Sequence, residues 1–487
     1  MGQRVTARVS PLVRLDETAT ALVVELTRAA DDAAVNDVQE FQHFDDILFA
    51  SNYLGTPPLG TGADGVRLID TAGAGRVWVA GSATGGGLKL KPGETAASAV
   101  IFAPVDIDQV TALVPQTGFV TVSVIGRDQA DTAGISSEVL AEADKTLKDK
   151  SGPGEKAAVV DLERYTRAID DSASTHTTDK DVTVTLASDV TFDPDSYNLT
   201  DKADSQLQTV ADQIAQYPDG GTLDIVGHTD DVADEAFNQT LSEQRAAAVH
   251  TRLGQLTPLD AWSVTEEGKG ESEPAVQGTD DAARAANRRV VVTLTPTGGT
   301  STQTTSTASA SPSTAPGGEL PEAKGPVGSG AGSALAVPSD DGSVSPSITV
   351  ESITRRGGLL LGKLTITGNT ESTVARAWFE DNSDIGGIFA NSRGEDGDSF
   401  PFAGLDGVTL LAGGLRYMPC DYVVGGKGYH RPLADTQLHW GIKEGTSTAF
   451  VIWPDVGQDT LIVDHQEGAR SGAEQPWRIT DVPVTAS

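Results

Sequence analysis

The sequence predicts a multi-domain chain in which a central α+β unit is flanked by two all-β sandwiches. The central unit runs βαβαββ, with its helices on one face of the sheet. Three observations carry this expectation. Short alternating apolar runs fill both ends of the chain, whereas the middle holds two stretches whose apolar residues recur with a helical period. A Thr/Ser/Gly/Pro/Ala-rich stretch separates the middle from the C-terminal part. The two ends also resemble each other. Residues 99–104 (AVIFAP) match 449–454 (AFVIWP), and the same separation lays 110–113 on 460–463. At roughly 150 residues per domain, 487 residues suggest about three domains.

Residues 1–125 read as β, with strands expected at 21–26, 66–69, 76–80, 98–102 and 110–114 between Gly/Pro/Asn/Asp clusters. Residues 126–154 read as a polar linker with room for one short helix. Residues 155–297 form the central unit. Val182, Val184 and Leu186 alternate on a strand, and Thr200 offers a helix N-cap. Ala203, Leu207, Val210, Ala211 and Ile214 then make one apolar helix face, which Tyr217-Pro218 stops. A strand at 223–226, a helix marked by Leu241, Ala248, Val249 and Leu253, and strands at 262–266 and 290–294 complete the unit. Residues 298–345 read as a flexible tether that lets the last module sample a wide radius. Residues 346–487 read as the second β module.

Composition excludes several classes. The formal net charge of −34 repels phosphate backbones and anionic headgroups, and no segment is locally basic. No apolar run approaches the roughly 18–20 residues that span a bilayer as a helix. Cys420 is the single cysteine, so neither an intramolecular disulfide nor a Cys-based zinc cage can form. The N-terminal stretch lacks the basic start and apolar core of a signal peptide, so an export segment is expected to be absent from this chain. Met1-Gly2 with Thr6 fits a myristoylation pattern by chance. Little Lys with much Ala, Thr, Gly and Asp fits a high-GC actinobacterial source.

The informative stretch is Val226-Gly-His-Thr-Asp230, then Asn238-Gln-Thr-Leu-Ser-Glu-Gln-Arg-Ala246, then Gly268-Lys-Gly-Glu-Ser-Glu-Pro274, then Arg284-Ala-Ala-Asn-Arg-Arg-Val290. This series resembles the signature of the OmpA-like peptidoglycan-binding domain, every part present and in order over about residues 180–297. Residues 190–199 (VTFDPDSYNL) resemble that family's opening strand and turn. The β-rich flanks resemble, more distantly, immunoglobulin-like modules of exported actinobacterial proteins.

The chemistry is legible beside the resemblance. A diaminopimelate-type stem peptide carries an ammonium and carboxylates on one residue. Its receptor needs an acid for the ammonium and an arginine for a carboxylate, which guanidinium pairs bidentately. Asp230 ends a strand and Arg245 sits on the next helix, so the two can converge on one zwitterion. The resemblance puts the family's diaminopimelate-binding acid and base on Asp230 and Arg245, a supporting contact on Asn238, and a pocket arginine on Arg288. Thr229 lies beside them, and a helix start near Ser242 would add backbone N–H groups. Outside such a signature, Asp230 reads as a cap and Arg245 as a surface charge. Arg289 reads as structural.

No catalytic residue, metal or cofactor is expected. His228 has no nucleophile or metal partner at recognisable spacing, and the other histidines are scattered. Residues 60–65 match G-x-G-x-x-G but precede a β run instead of a helix, so they read as a turn. The expected protein is a non-catalytic, extracytoplasmic envelope component. It would hold peptidoglycan through its middle domain and display the sandwiches to other envelope proteins. Two alternatives stay open at this point: a wall-targeted hydrolase with its site in a flank, and a truncated component of an envelope-spanning machine.

Overall fold

The structure is a computed structural model. It describes residues 4–32, 43–44, 47–49, 62–72, 75–84, 88–149, 157–300, 320–339, 342, 345–368, 405–424, 429–435, 445–466 and 475–486.

The N-terminal module is one sheet curled over its own core. Its strand order is Ala158–Asp161, Arg76–Val79, Arg67–Ile69, Gln109–Val114, Gly118–Ile125, Val5–Arg14, Thr20–Arg28, Thr95–Phe102, Ser82–Ala83. Leu12, Leu22, Leu68, Trp78 and Phe102 fill the inside. The C-terminal module repeats the first eight strands of that order: Arg164–Ala168, Leu415–Tyr417, Thr409–Ala412, Thr460–His465, Trp477–Ala486, Ser347–Arg356, Leu359–Gly368, Gly445–Pro454. In both copies the first strand pairs in parallel with the last. In both, that first strand also carries a bulge, between Val9 and Leu12 or between Val350 and Ser352. The similarity seen in the sequence is therefore a repeat of topology.

The central unit departs from the expected βαβαββ order in one respect: a short helix, Asp281–Asn287, comes between its last two strands, so that it runs βαβαβαβ. Strands Trp262–Gly268, Gly221–Gly227, Arg289–Pro296 and Val182–Ala187 lie side by side in that sequence. Val182, Val184, Leu223, Ile225, Val290 and Val292 point to one face, where Leu207, Val210 and Ile214 of helix Ala203–Ala215 and Val249 and Leu253 of helix Glu235–Leu256 cover them. Thr200 does not cap the first helix: its hydroxyl donates to the Val190 carbonyl at 2.6 Å, and the chain turns once more before Ala203.

Four expectations are corrected. Residues 126–149 are packed instead of forming a linker. Helix Ser137–Lys148, N-capped by Ser136, lays Leu140 and Ala143 over Val13, Ala21 and Ile101 of the first module. The start of the expected central domain belongs to its neighbours. Ala158–Asp161 completes the edge of the first module's sheet against Arg76–Val79. Arg164–Ala168 completes the edge of the second against Leu415–Tyr417, and its partner Ala173–Thr177 continues into the central sheet. Sheet edges expose unpaired N–H and C=O groups, and one connector satisfies two of them. The region expected as a tether is structured over 320–339, where Val327–Ser329 and Leu335–Ala336 add to the second module. Residues 301–319 lie outside the described residues.

Finally, the two β modules are packed on each other, so the second does not range freely. Ile69, Val77, Val79 and Leu113 of the first share a buried cluster with Leu359, Leu361, Leu433, Phe450 and Ile452 of the second. Phe119 meets Phe450 edge to face, with centroids 5.5 Å apart. These strands bury residues on both faces, one toward their own core and one toward the other module.

Candidate functional site

The site sits at the C-terminal end of strand Gly221–Gly227, where the GHTD motif leaves the sheet. Two motif glycines set its depth. Gly227 and Gly268 face each other across a parallel strand pair, and both press against Ser242 of helix Glu235–Leu256. A side chain at either would collide with Ser242, at its backbone carbonyl beside Gly227 and at its hydroxyl beside Gly268. The Gly270 N–H donates to the Ser242 hydroxyl at 2.9 Å, and the Thr229 N–H donates to the Gly270 carbonyl at 2.9 Å. Helix, GHTD loop and G-x-G turn are thereby locked together. Ser242 lies in mid-helix instead of at a helix start, because the helix begins at Glu235 under Asp234, whose carboxylate accepts from the Phe237 N–H at 3.0 Å.

Asp230 projects from this loop. One carboxylate oxygen accepts from the Val232 N–H at 3.2 Å and the other from Arg288 Nη1 at 2.7 Å. Thr229 is buried and its hydroxyl donates to the Asp230 carbonyl at 3.0 Å. Asn238 is also buried. Its amide donates to the Asp230 carbonyl at 3.1 Å, to the Ala233 carbonyl at 3.2 Å and to Glu271 Oε2 at 2.6 Å, tying the GHTD loop to the G-x-G turn.

Arg245 is only 4% exposed. Its guanidinium stacks over Phe192, 5.1 Å from the ring centroid, and Nε donates to the Ser196 carbonyl at 2.9 Å. Burial lowers its pKa, against the opposing pull of Asp189, Asp195 and Asp230, and arginine stays charged throughout. Among the described residues, its terminal nitrogens Nη1 and Nη2 make no hydrogen bond. Arg288 grips Asp189 with Nε and Nη2, both at 2.6 Å, while Nη1 reaches Asp230. The Asp189 hydrogen bonds, and then those to Asp230, raise its pKa.

The structure thus brings Asp230, Arg245, Asn238, Thr229 and Arg288 to one place, with Asn238 and Thr229 holding backbone. Arg289 points away, donating to the Asn287 and Glu273 carbonyls at 3.3 and 3.1 Å, and its pKa is lowered to about 10 by burial. Sequence reasoning missed Asp189, Phe192 and the Ser196 carbonyl. Phe192 and Ser196 lie inside the opening turn as it was quoted, and Asp189 lies one position before it. His228 is buried, and desolvation lowers its pKa to about 4, so it is neutral at pH 7.

The sequence model of the OmpA family matches residues 191–288, so an OmpA-family domain occupies that part of the chain. Outer membrane porin F of Pseudomonas aeruginosa is 38% identical over 102 residues, 21% of this chain and 29% of that protein. Outer membrane protein A of Bordetella avium is 36% identical over 111 residues, 23% of this chain and 56% of that protein. The chain therefore spans less than a third of porin F and little more than half of the Bordetella protein. Among solved structures, the peptidoglycan-associated lipoprotein from Burkholderia pseudomallei is similar at 32% identity, covering 21% of this chain and 86% of that one with a TM-score of 0.19. No described helix is long and apolar enough to cross a membrane.

Proposed function

We propose that the OmpA-family domain binds peptidoglycan without making or breaking a bond, and that the diaminopimelate residue of a stem peptide is what it grips. The observation that carries this reading is the buried Arg245, whose Nη1 and Nη2 make no hydrogen bond among the described residues and whose guanidinium feels the charge of Asp230. A carboxylate of the ligand takes those two donors in a fork, and its ammonium takes Asp230. Arg288 holds Asp230 and Asp189 in place by hydrogen bonds from one guanidinium. Thr229 and Asn238 hold the loop that presents Asp230.

The flanking modules carry a strand order with a parallel first-to-last pairing, which supports reading them as immunoglobulin-like. In this reading the protein is an envelope component that holds the wall at one end and presents a fused pair of β modules to other envelope proteins. Co-sedimentation tests it. The full chain pellets with diaminopimelate-type peptidoglycan and stays in solution with lysine-type wall, and the Asp230→Ala/Arg245→Ala variant pellets with neither. Wild-type protein that ignores the diaminopimelate wall refutes the proposal.

A further inference from the structure

A second cluster of chemistry lies away from this site, where the connector between the modules meets the C-terminal module. Glu163 stands between the two edge strands Ala158–Asp161 and Arg164–Ala168. Its N–H donates to the Asp421 carbonyl at 2.7 Å, and its carbonyl accepts from the Asp421 N–H at 3.1 Å. That reciprocal pair of hydrogen bonds across the junction fixes both backbones. The side chains then converge: Asp421 Oδ2 lies 2.7 Å from His430 Nδ1, and His430 Nδ1 lies 3.7 Å from Glu163 Oε2. The donor atoms of Glu163, Asp421 and His430 all fall within 4.8 Å of one another. A fourth group, His176 of strand Ala173–Thr177, places Nε2 at 2.8 Å from Glu163 Oε2. The Asp421 side chain is fully buried, and those of His430 and Glu163 are 10% and 14% exposed.

We infer that Glu163, Asp421 and His430 form a binding site for a divalent transition-metal ion of the zinc class. The donor set decides the class. Carboxylate oxygen with imidazole nitrogen and no thiolate suits zinc and its first-row neighbours, whereas magnesium and calcium favour sites built from oxygen alone. Donors at this mutual spacing need only small side-chain shifts to reach the roughly 2.0–2.2 Å of zinc–nitrogen and zinc–oxygen bonds. Solvent completes the coordination. His176 acts as a positioning residue that orients the Glu163 carboxylate, the usual task of a group hydrogen-bonded to a metal ligand.

The consequence is structural. Glu163 belongs to the connector that edges both modules, Asp421 and His430 belong to the second module, and His176 lies on the strand that leads into the central sheet. One ion staples the three together. The sequence shows no metal motif because Glu163 lies far along the chain from the Asp421 and His430 hairpin, and the ligands contain no H-x-x-x-H spacing.

The test uses the full chain, stripped with a chelator and then dialysed against limiting zinc with excess magnesium to saturate the acidic surface. Metal content after gel filtration is expected at one zinc per chain, with a higher Tm than the stripped protein and an X-ray absorption edge that shows nitrogen and oxygen ligands without sulfur. Glu163→Gln and His430→Ala each lose that zinc and the Tm shift. Circular dichroism checks that both fold, and Glu163→Gln serves alone if His430→Ala does not. His176→Ala weakens zinc affinity by roughly 10–100-fold, and His176→Gln, which can still donate to Glu163, recovers part of it. Wild type that holds no stoichiometric zinc overturns the inference, as does zinc retained by both ligand variants.

Discussion

Arg288 binds Asp230 and Asp189 at once, with three hydrogen bonds of 2.6–2.7 Å from a single guanidinium. The acid proposed to meet the ligand ammonium is therefore already paired and oriented. Ligand binding adds a second cation to Asp230 without having to order it.

This relationship predicts the behaviour of Arg288 variants. Arg288→Ala leaves Asp230 and Asp189 to repel each other and loosens the loop. Charge-assisted hydrogen bonds contribute roughly 1.5–3 kcal/mol, so stem-peptide affinity falls about tenfold or more. Arg288→Lys restores charge but cannot hold two carboxylates in fixed geometry, and it recovers only part of the loss. Isothermal titration calorimetry on both variants checks the order wild type, Lys, Ala.

Two glycines of the site domain, Gly227 in the motif and Gly254 outside it, predict opposite effects on stability. Gly227→Ala drives a methyl into the Ser242 backbone carbonyl, so strand and helix must separate, at a cost of about 1–3 kcal/mol. Gly254 lies exposed within helix Glu235–Leu256, and its nearest neighbour would sit 3.9 Å from an added Cβ. Gly254→Ala is expected to stabilise by about 0.5–1 kcal/mol through helix propensity. Urea unfolding of the two variants should move the midpoint in opposite directions.

His228 gives the site domain an acid limit. Its pKa is lowered to about 4 by burial, and its Nδ1 is buried without a hydrogen-bond partner. The folded state thus binds this proton less readily than the unfolded state, where the value is near 6.5. Its contribution to stability is complete above about pH 6.5 and disappears as pH falls through 4. Thermal melts of wild type and His228→Asn should differ in pH dependence across that window, with the variant the flatter.

Asp435 acts in the reverse sense at the packing of the two β modules. Its carboxylate accepts from the Gln116 N–H of the first module at 2.9 Å and from the Phe450 N–H of the second at 2.8 Å. Burial nonetheless pushes its pKa up to about 7. The protonated form is favoured on folding, so stability is greatest below about pH 4 for this group and is lost as pH rises through 7. Asp435→Asn gives up one acceptor and carries a constant penalty, but it should remove this slope between pH 5 and 8 in differential scanning calorimetry.

The site was largely legible because its parts are short and contiguous. Gly227, Asp230, Asn238, Arg245 and Arg288 fall within motifs whose spacing the sheet dictates. Asp189 was not legible, since a single acid in a chain with 69 acidic residues carries no mark until Arg288 is seen to grip it. Module packing was hidden for a different reason. A run such as Leu359-Leu360-Leu361 reads as a strand, but its burial on both faces shows only when a second sheet lies against it. The 126–154 stretch looked like a linker because its helix buries little beyond Leu140 and Ala143.

The central claim is that Arg245 receives a ligand carboxylate while Asp230 receives its ammonium. Calorimetric titration of a diaminopimelate-containing stem tripeptide into the full chain, beside the same tripeptide with lysine in place of diaminopimelate, tests it most directly. Lysine keeps the ammonium and lacks the second carboxylate. The account predicts that wild type prefers the diaminopimelate peptide, that Arg245→Lys erases most of that preference, and that Asp230→Asn weakens both peptides. Equal affinity of wild type for the two peptides, or a preference that survives Arg245→Lys unchanged, would contradict it.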